Sequence, residues 1–402
     1  MSCRQIVYGN TMKDIYLDYA AATPVRQEVL DAMQPYGDQA FGNPSSFHYK
    51  GLEASQAIGS ARGKIAQILG CLPEELVFTS GGTESINLAL QGLARPKRRG
   101  HIVTTAIEHA AVLETCIFLE GQGFEVTYVK PQRNGIVVPE DIRKAIRPDT
   151  FLVSVMYANN EIGTIQRIRD IGLVCREQGI AFHTDACQAA GMLDLNVEEL
   201  RVDLLSINGS KVYGPKGVGL LYIRSGIELQ PLQFGGGQEK GRRSGTENVA
   251  GIVGLAHALE LAQSDKETEN KRLTVLRDYL INDTFKAIPR TILNGDPTLR
   301  LPNNVNLTFL DVEGESLVLH LNELGIYAAT GSACNSKNLK PSHVLTAIGV
   351  SGEAIHGSVR FSLGLFTTKQ QIEYLLGQLP QIVERLRQIS PVHINKDNIY
   401  IK

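Results

Sequence analysis

Between residues 76 and 223 short apolar, β-branched runs alternate with longer segments of helical period. The runs predict strands at 76–78, 102–107, 125–129, 151–158, 181–184, 204–207 and 218–223. Between several of them, positions such as Ile86, Leu90 and Leu93, or Ile168, Ile171 and Cys175, recur at helical spacing. Strand and helix in this alternation predict an α/β domain built on a mostly parallel, seven-stranded sheet. The last two runs are joined by a glycine-rich link with no helix, which leaves room for an antiparallel strand there.

After Gly254 the pattern changes. Residues 256–286 read as one long, charged, mostly helical stretch with a polar centre at 264–271. Runs at 304–309 and 358–363 read as strands, and 369–388 as a terminal amphipathic helix. The expected organisation is a large domain over residues 16–264 and a smaller α+β domain made of 1–15 and 265–402.

Composition narrows the function. The 40 Lys and Arg against 42 Asp and Glu give a net charge of −2, which argues against direct nucleic-acid binding through many neutralised phosphates. No run approaches the ~18 apolar residues of a membrane span, and the N-terminus has no apolar core of a secretion signal. The six cysteines are scattered without a Cys-x-x-Cys pair, so neither a disulfide framework nor a metal site is expected, and a cytoplasmic location fits.

In an open parallel sheet, ligands bind beyond the carboxyl ends of the strands, and the residues there form a chemically coherent set. Two readings stand for 79–84 (TSGGTE): a glycine turn offering helix N–H groups to an anion, or an ordinary Ser/Thr helix cap. No P-loop and no dinucleotide fingerprint is present. Glu108 and His109 follow the second strand, Asn159 and Asn160 the fourth, and Asp185 the fifth. A buried carboxylate such as Asp185 needs a cationic or donor partner. Lys211 follows an apolar strand among small residues, where desolvation favours a nucleophilic amine; Lys216 reads as a solvated loop residue. The Gly/Arg loop 235–246 is either solvated or a second anion clamp. Cys71, Cys116 and Cys175 lie in apolar runs, as structural thiols do. Cys334 lies in a small, polar, glycine-containing stretch that suits a reactive thiol.

Taken together, the stretches 16–24 (YLDYAAATP), 41–46 (FGNPSS), 79–85 (TSGGTES), 158–163 (ANNEIG), 183–186 (HTDA), Lys211 with 213–217 (YGPKG), 242–246 (RRSGT) and 331–334 (GSAC) resemble the cysteine desulfurases. These belong among the class V aminotransferases, and the resemblance runs from about residue 15 to about 370. The segment around Cys334 is similar to the long-loop group. The resemblance implies the pyridoxal-phosphate-dependent transferase fold of type I, with pyridoxal 5'-phosphate as cofactor. It implies Lys211 as the Schiff-base lysine, Asp185 as partner of the pyridine nitrogen, His109 stacked on the ring and Gln188 bonded to its phenolic oxygen. Gly82, Thr83, Asn208 and Ser210 would hold the phosphate, joined by Thr246 from the other subunit of a homodimer. Asn160 and Arg360 would bind the carboxylate of L-cysteine. Cys334 would take its sulfur as a persulfide, leaving L-alanine, and pass it to an acceptor protein such as an iron–sulfur scaffold. Ser210 stands where many members carry His, and Asn208 where they often carry Ser; both still offer hydrogen bonds. The alternatives are a class V aminotransferase or selenocysteine lyase, neither of which needs Cys334, and an idle interaction platform, against which the presence of both Lys211 and Cys334 speaks. The basic cluster 95–99 is either a docking surface or a solvated loop.

Overall fold

The structure, a computed structural model, describes residues 14–330, 341–395 and 398–400. In chain order the strands are β1 (Ile15–Tyr16), β2 (Leu76–Thr79), β3 (His101–Thr105), β4 (Glu125–Val129), β5 (Thr150–Ser154), β6 (Ala181–Asp185), β7 (Leu204–Asn208), β8 (Gly219–Ile223), β9 (Thr291–Leu293), β10 (Asn304–Phe309), β11 (Ile326–Tyr327), β12 (Ala329–Thr330) and β13 (Ser358–Ser362). The chain divides into a larger unit, 22–160 with 164–268, and a smaller one comprising 14–21, 161–163 and the residues after 268.

The larger unit holds a seven-stranded sheet ordered β2-β8-β7-β6-β5-β3-β4. β3 to β7 pair in parallel, whereas β8 runs antiparallel to both β2 and β7. The glycine-rich link after Lys211 therefore does carry the chain into an antiparallel strand. β2, β3, β7 and β8 are buried nearly throughout, as expected of strands covered on both faces. Val77, Ile86, Leu90, Ile102, Val112, Cys116 and Leu152 form part of one core with helices Gly82–Ala94 and Ala110–Gly121. The chain leaves β3 toward β4 on one side and later returns at β5 on the other, continuing to β6 and β7. That reversal is a topological switch point, where an α/β sheet opens a crevice.

Several strands are shorter than the sequence pattern. β3 ends at Thr105 and β5 at Ser154, although Ile107 and Val155 to Met156 stay buried. Apolar pattern reports burial, not pairing: beyond Ser154 the main-chain bonds to a neighbouring strand run to β6, Val155 N–H to His183 O and Tyr157 N–H to Asp185 O.

In the smaller unit β1 pairs with β11 in parallel, and β12-β13-β10-β9 form an antiparallel sheet. The terminal helix Lys369–Ile389 starts in a capping box of Thr368 and Gln371. The long helix runs unbroken over Val249–Ala287, starting earlier than its hydrophobic pattern. Among the described residues, no helix is long and apolar enough to cross a membrane.

Candidate active site

Parallel strands of one sheet present their carboxyl ends along one edge, and the sequence-selected residues gather there. After β2, Gly81 takes φ 153° and ψ −177°, a conformation open only to glycine. Gly81 is the N-cap of helix Gly82–Ala94, and no side chain caps that end. The Thr79 hydroxyl instead donates to Gly81 O at 3.1 Å and lies 2.7 Å from Ser85 Oγ. The hydroxyl-cap reading of this turn is thus replaced by a bare glycine one. The first-turn amides of Gly82, Thr83 and Glu84 have no acceptor within the helix, and they carry the positive end of its dipole.

Gly82 is packed as well as bare. A Cβ there would lie 2.6 Å from Cys187 Sγ and 3.4 Å from Asn208 Cβ. Cys187 N–H donates to Asp185 Oδ1 at 2.9 Å, and the charge of Lys211 reaches the Cys187 thiol. Burial, with Asp185 alongside, pushes that thiol well above its ordinary range. One small side chain therefore touches or senses the exits of β2, β6 and β7. Among the named candidates, Gly82, Asp185, Asn208 and Lys211 are brought together; Gln188 follows half-buried.

Asp185, 6% exposed at the end of β6, sits among buried titratable groups whose charged forms burial disfavours. His183, two residues earlier on the same face, is pushed down to about 4 by burial. Its ring nitrogens lie 2.8 Å from Ser154 Oγ and 3.0 Å from Ser206 Oγ. Glu108 is raised to about 8, first by burial and then by the negative charge of Asp185.

Beyond β7 the chain makes a tight turn, Gly209–Lys211. Asn208 Oδ1 accepts from Ser210 N–H and Oγ–H, both at 3.2 Å, so these two side chains bond to each other. Thr23 grips the turn from outside. Its N–H and hydroxyl both donate to Ser210 O, at 3.0 and 3.1 Å, and its Oγ1 accepts from Tyr213 N–H at 2.9 Å. Tyr213 has φ +60°, a strained value for a non-glycine residue, held by those bonds and by Arg26 N–H to its carbonyl.

His109 caps helix Ala110–Gly121, its Nδ1 accepting Ala111 N–H at 3.1 Å; the ring proton is then on Nε2. His109 and Thr83 line one cleft of about 640 Å3, together with Asn87, Glu114 and Phe118. Asn160 is half-buried after β5. The loop carrying Thr246, itself exposed, is mostly exposed and is tied down at two points: Arg243 pairs with Glu84 at 2.9 Å and Arg62 with Glu239 at 2.5 Å.

Arg360, 4% exposed on β13 in the smaller unit, pairs through Nη2 with Asp18 at 2.7 Å. Cys334 lies outside the described residues. Cys116 and Cys175 are buried as expected, but Cys71 is half-exposed, because its helix has ended at Gly70. Sequence reasoning gave no role to Cys187, Thr23 or Glu108. Only Glu108 carried a signal, an acid directly after a buried run.

The sequence pattern of the family described as Aminotransferase class-V matches residues 15–375. A protein named cysteine desulfurase IscS from Dictyoglomus turgidum is 53% identical over 381 residues, covering 94% of this chain and 97% of that one. A cysteine desulfurase of Homo sapiens is 44% identical over 400 residues, covering 98% of this chain and 87% of that protein. Among solved structures, a NifS-like protein superimposes with TM-score 0.88 at 39% identity, covering 93% of this chain and all of its own. A structure described as SspA in complex with cysteine gives TM-score 0.77 at 41% identity, covering 88% of this chain and 100% of its own.

Proposed function

The chain belongs to the class-V aminotransferase family and is a cysteine desulfurase, a pyridoxal-phosphate-dependent enzyme, and we propose that its cofactor lies at the carboxyl edge of the seven-stranded sheet and that Cys334 is its sulfur-accepting thiol. The observation that carries the first half is the convergence of Gly82, Asp185, Asn208 and Lys211 around Cys187. This donor set suits a phosphorylated pyridine aldehyde: bare helix amides for the phosphate, a buried carboxylate for a ring N–H, and an amine for the aldehyde.

When bound, the cofactor supplies an electron sink that acidifies the Cα proton of an amino acid. The chain's own residues do the rest. Lys211 would hold the cofactor and would serve as the general base for the Cα proton. Asp185 would keep the ring nitrogen protonated. His109 would cover the ring face, and Gln188 would bond its phenolic oxygen. Gly82, Thr83, Asn208 and Ser210 hold the phosphate, with Thr246 supplied by the second copy in a homodimer. Large exposed apolar side chains such as Phe41, Phe47 and Tyr49 support a partner surface of that kind.

Asn160 and Arg360 are the residues proposed for the carboxylate of L-cysteine; Arg360 Nη2 also donates to Asp18. The Cys334 thiolate attacks the substrate sulfur. A sulfur–sulfur bond forms as the carbon–sulfur bond breaks; the electron pair stays on carbon, which takes up protons and leaves as L-alanine. The persulfide then passes to a thiol of an acceptor protein, for which an iron–sulfur scaffold is our expected partner.

The test is product analysis on holoprotein supplied with L-cysteine and a reductant. Alanine and sulfide should form in equal amounts, Cys334→Ala should keep the visible cofactor absorbance and release no sulfide, and borohydride should fix the pyridoxyl group to Lys211. Sulfide release by Cys334→Ala at the wild-type rate, or the pyridoxyl group on another residue, would overturn the assignment.

A further inference from the structure

His109 and Asn160 flank the crevice at the switch point, one following β3 and the other following β5. These two strands stay paired only as far as Val103 against Val153, short of both residues. Something else must hold the two strand exits at a set distance, because the crossovers leaving them run in opposite directions. Thr104 Oγ1 donates to Ser154 O at 3.0 Å, and beyond it two buried side chains cross the gap in opposite senses.

Glu108, the residue before His109, reaches from the β3 exit to the β5 exit. Its Oε1 accepts Met156 N–H at 2.9 Å and the Thr105 hydroxyl at 2.6 Å. Asn159, the residue before Asn160, reaches the other way. Its Nδ2 donates to Ile107 O at 2.8 Å and lies 3.3 Å from Met156 Sδ. Both side chains are completely buried. Each exit thus bonds to the backbone of the other through the neighbour of a residue placed in the site. A buried carboxyl doing this work close to Asp185 can remain neutral, as burial pushes it up to about 8.

We propose that Glu108 and Asn159 are paired positioning residues that fix the spacing of His109 and Asn160 across the crevice between β3 and β5. The proposal rests on the roles given above to His109 and Asn160. Displacing a reacting or binding group by about 1 Å can cost on the order of 100-fold, so the pair should matter without touching substrate.

The experiment compares holoenzyme carrying Glu108→Gln, Glu108→Ala, Asn159→Ala and the last two combined. The readouts are KM for L-cysteine, kcat and the visible spectrum of the bound cofactor. Gln still offers an oxygen to both donors and should keep KM within about twofold. Glu108→Ala and Asn159→Ala should each raise KM about 10- to 100-fold and shift the cofactor band. Combined, they should do little more than either alone, since the clasp is one unit. Strictly additive effects, or alanine variants that fold yet keep the wild-type KM and spectrum, would overturn the proposal. If Glu108→Ala fails to fold, Asn159→Ala with Glu108→Gln decides it. His109→Ala and Asn160→Ala serve as controls: if they change neither KM nor spectrum, the site reading fails; if only they do, the clasp fails.

Discussion

Placing a methyl group on Gly82 tests how the site is assembled. Nothing in its backbone forbids alanine, since Gly82 is not among the glycines with positive φ, and within a helix alanine is favoured over glycine by about 1 kcal/mol. The obstacle is one atom. A Cβ at 2.6 Å from Cys187 Sγ is about 1 Å inside ordinary contact, and overpacking of that size costs about 1–3 kcal/mol. Gly82→Ala should therefore destabilise the apoprotein and weaken pyridoxal-phosphate binding, by pushing the helix start away from the β6 exit. Cys187→Ala removes the offending sulfur and leaves Asn208 Cβ at 3.4 Å, a tolerable contact. In that background Gly82→Ala should be neutral or stabilising, giving a coupling of about 1–3 kcal/mol. Urea unfolding followed by circular dichroism gives the stability, and absorbance titration gives the cofactor affinity. An equal loss from Gly82→Ala in both backgrounds would refute the claim that this thiol joins the strand exits.

Two other outcomes are expected. The fold holds Glu108 protonated up to about 8, so its contribution to stability is full below the ordinary carboxyl value near 4.5 and is lost as pH rises toward 8. At 1.36 kcal/mol per pH unit this loss is on the order of 5 kcal/mol; Glu108→Gln should abolish it, and matching wild-type and variant slopes in urea unfolding between pH 5 and 8.5 would contradict the burial argument. Thr23→Val keeps the shape but removes the hydroxyl bonded to Ser210 O and Tyr213 N–H; it should cost about 1–3 kcal/mol and raise the cofactor dissociation constant. Unchanged cofactor affinity would show that Thr23 does not hold the lysine turn.

Lys211 and Asp185 were legible because each contradicts its surroundings: a charge directly after a buried strand demands an explanation from burial cost alone. The antiparallel strand β8, between β2 and β7, was legible from a link that leaves no room for a crossover helix. Cys187 and Thr23 gave no such signal. They are small, and their meaning lies in partners far along the chain; Thr23 and Tyr213 are 190 positions apart. Asn159 was noticed only as one of an Asn pair, and periodicity cannot say which of two neighbours faces the next strand. The smaller unit shows the same limit. Residues 14–21 and 161–163 join it, the former through β1 beside β11 and the latter through Asn304 and Asn306, whose amides donate to Glu161 O at 3.2 and 3.1 Å.

By itself the sequence determined the α/β class, the succession of strands and helices, and the polar residues that end each buried run, because burial and periodicity act over a few residues and are written locally. Tertiary structure alone decided which strand exits meet, that a thiol sits between the glycine turn and the carboxylate, and that Glu108 and Asn159 cross the crevice in opposite senses. Those are contacts between segments distant along the chain, set by strand order and closed only when the whole sheet is assembled.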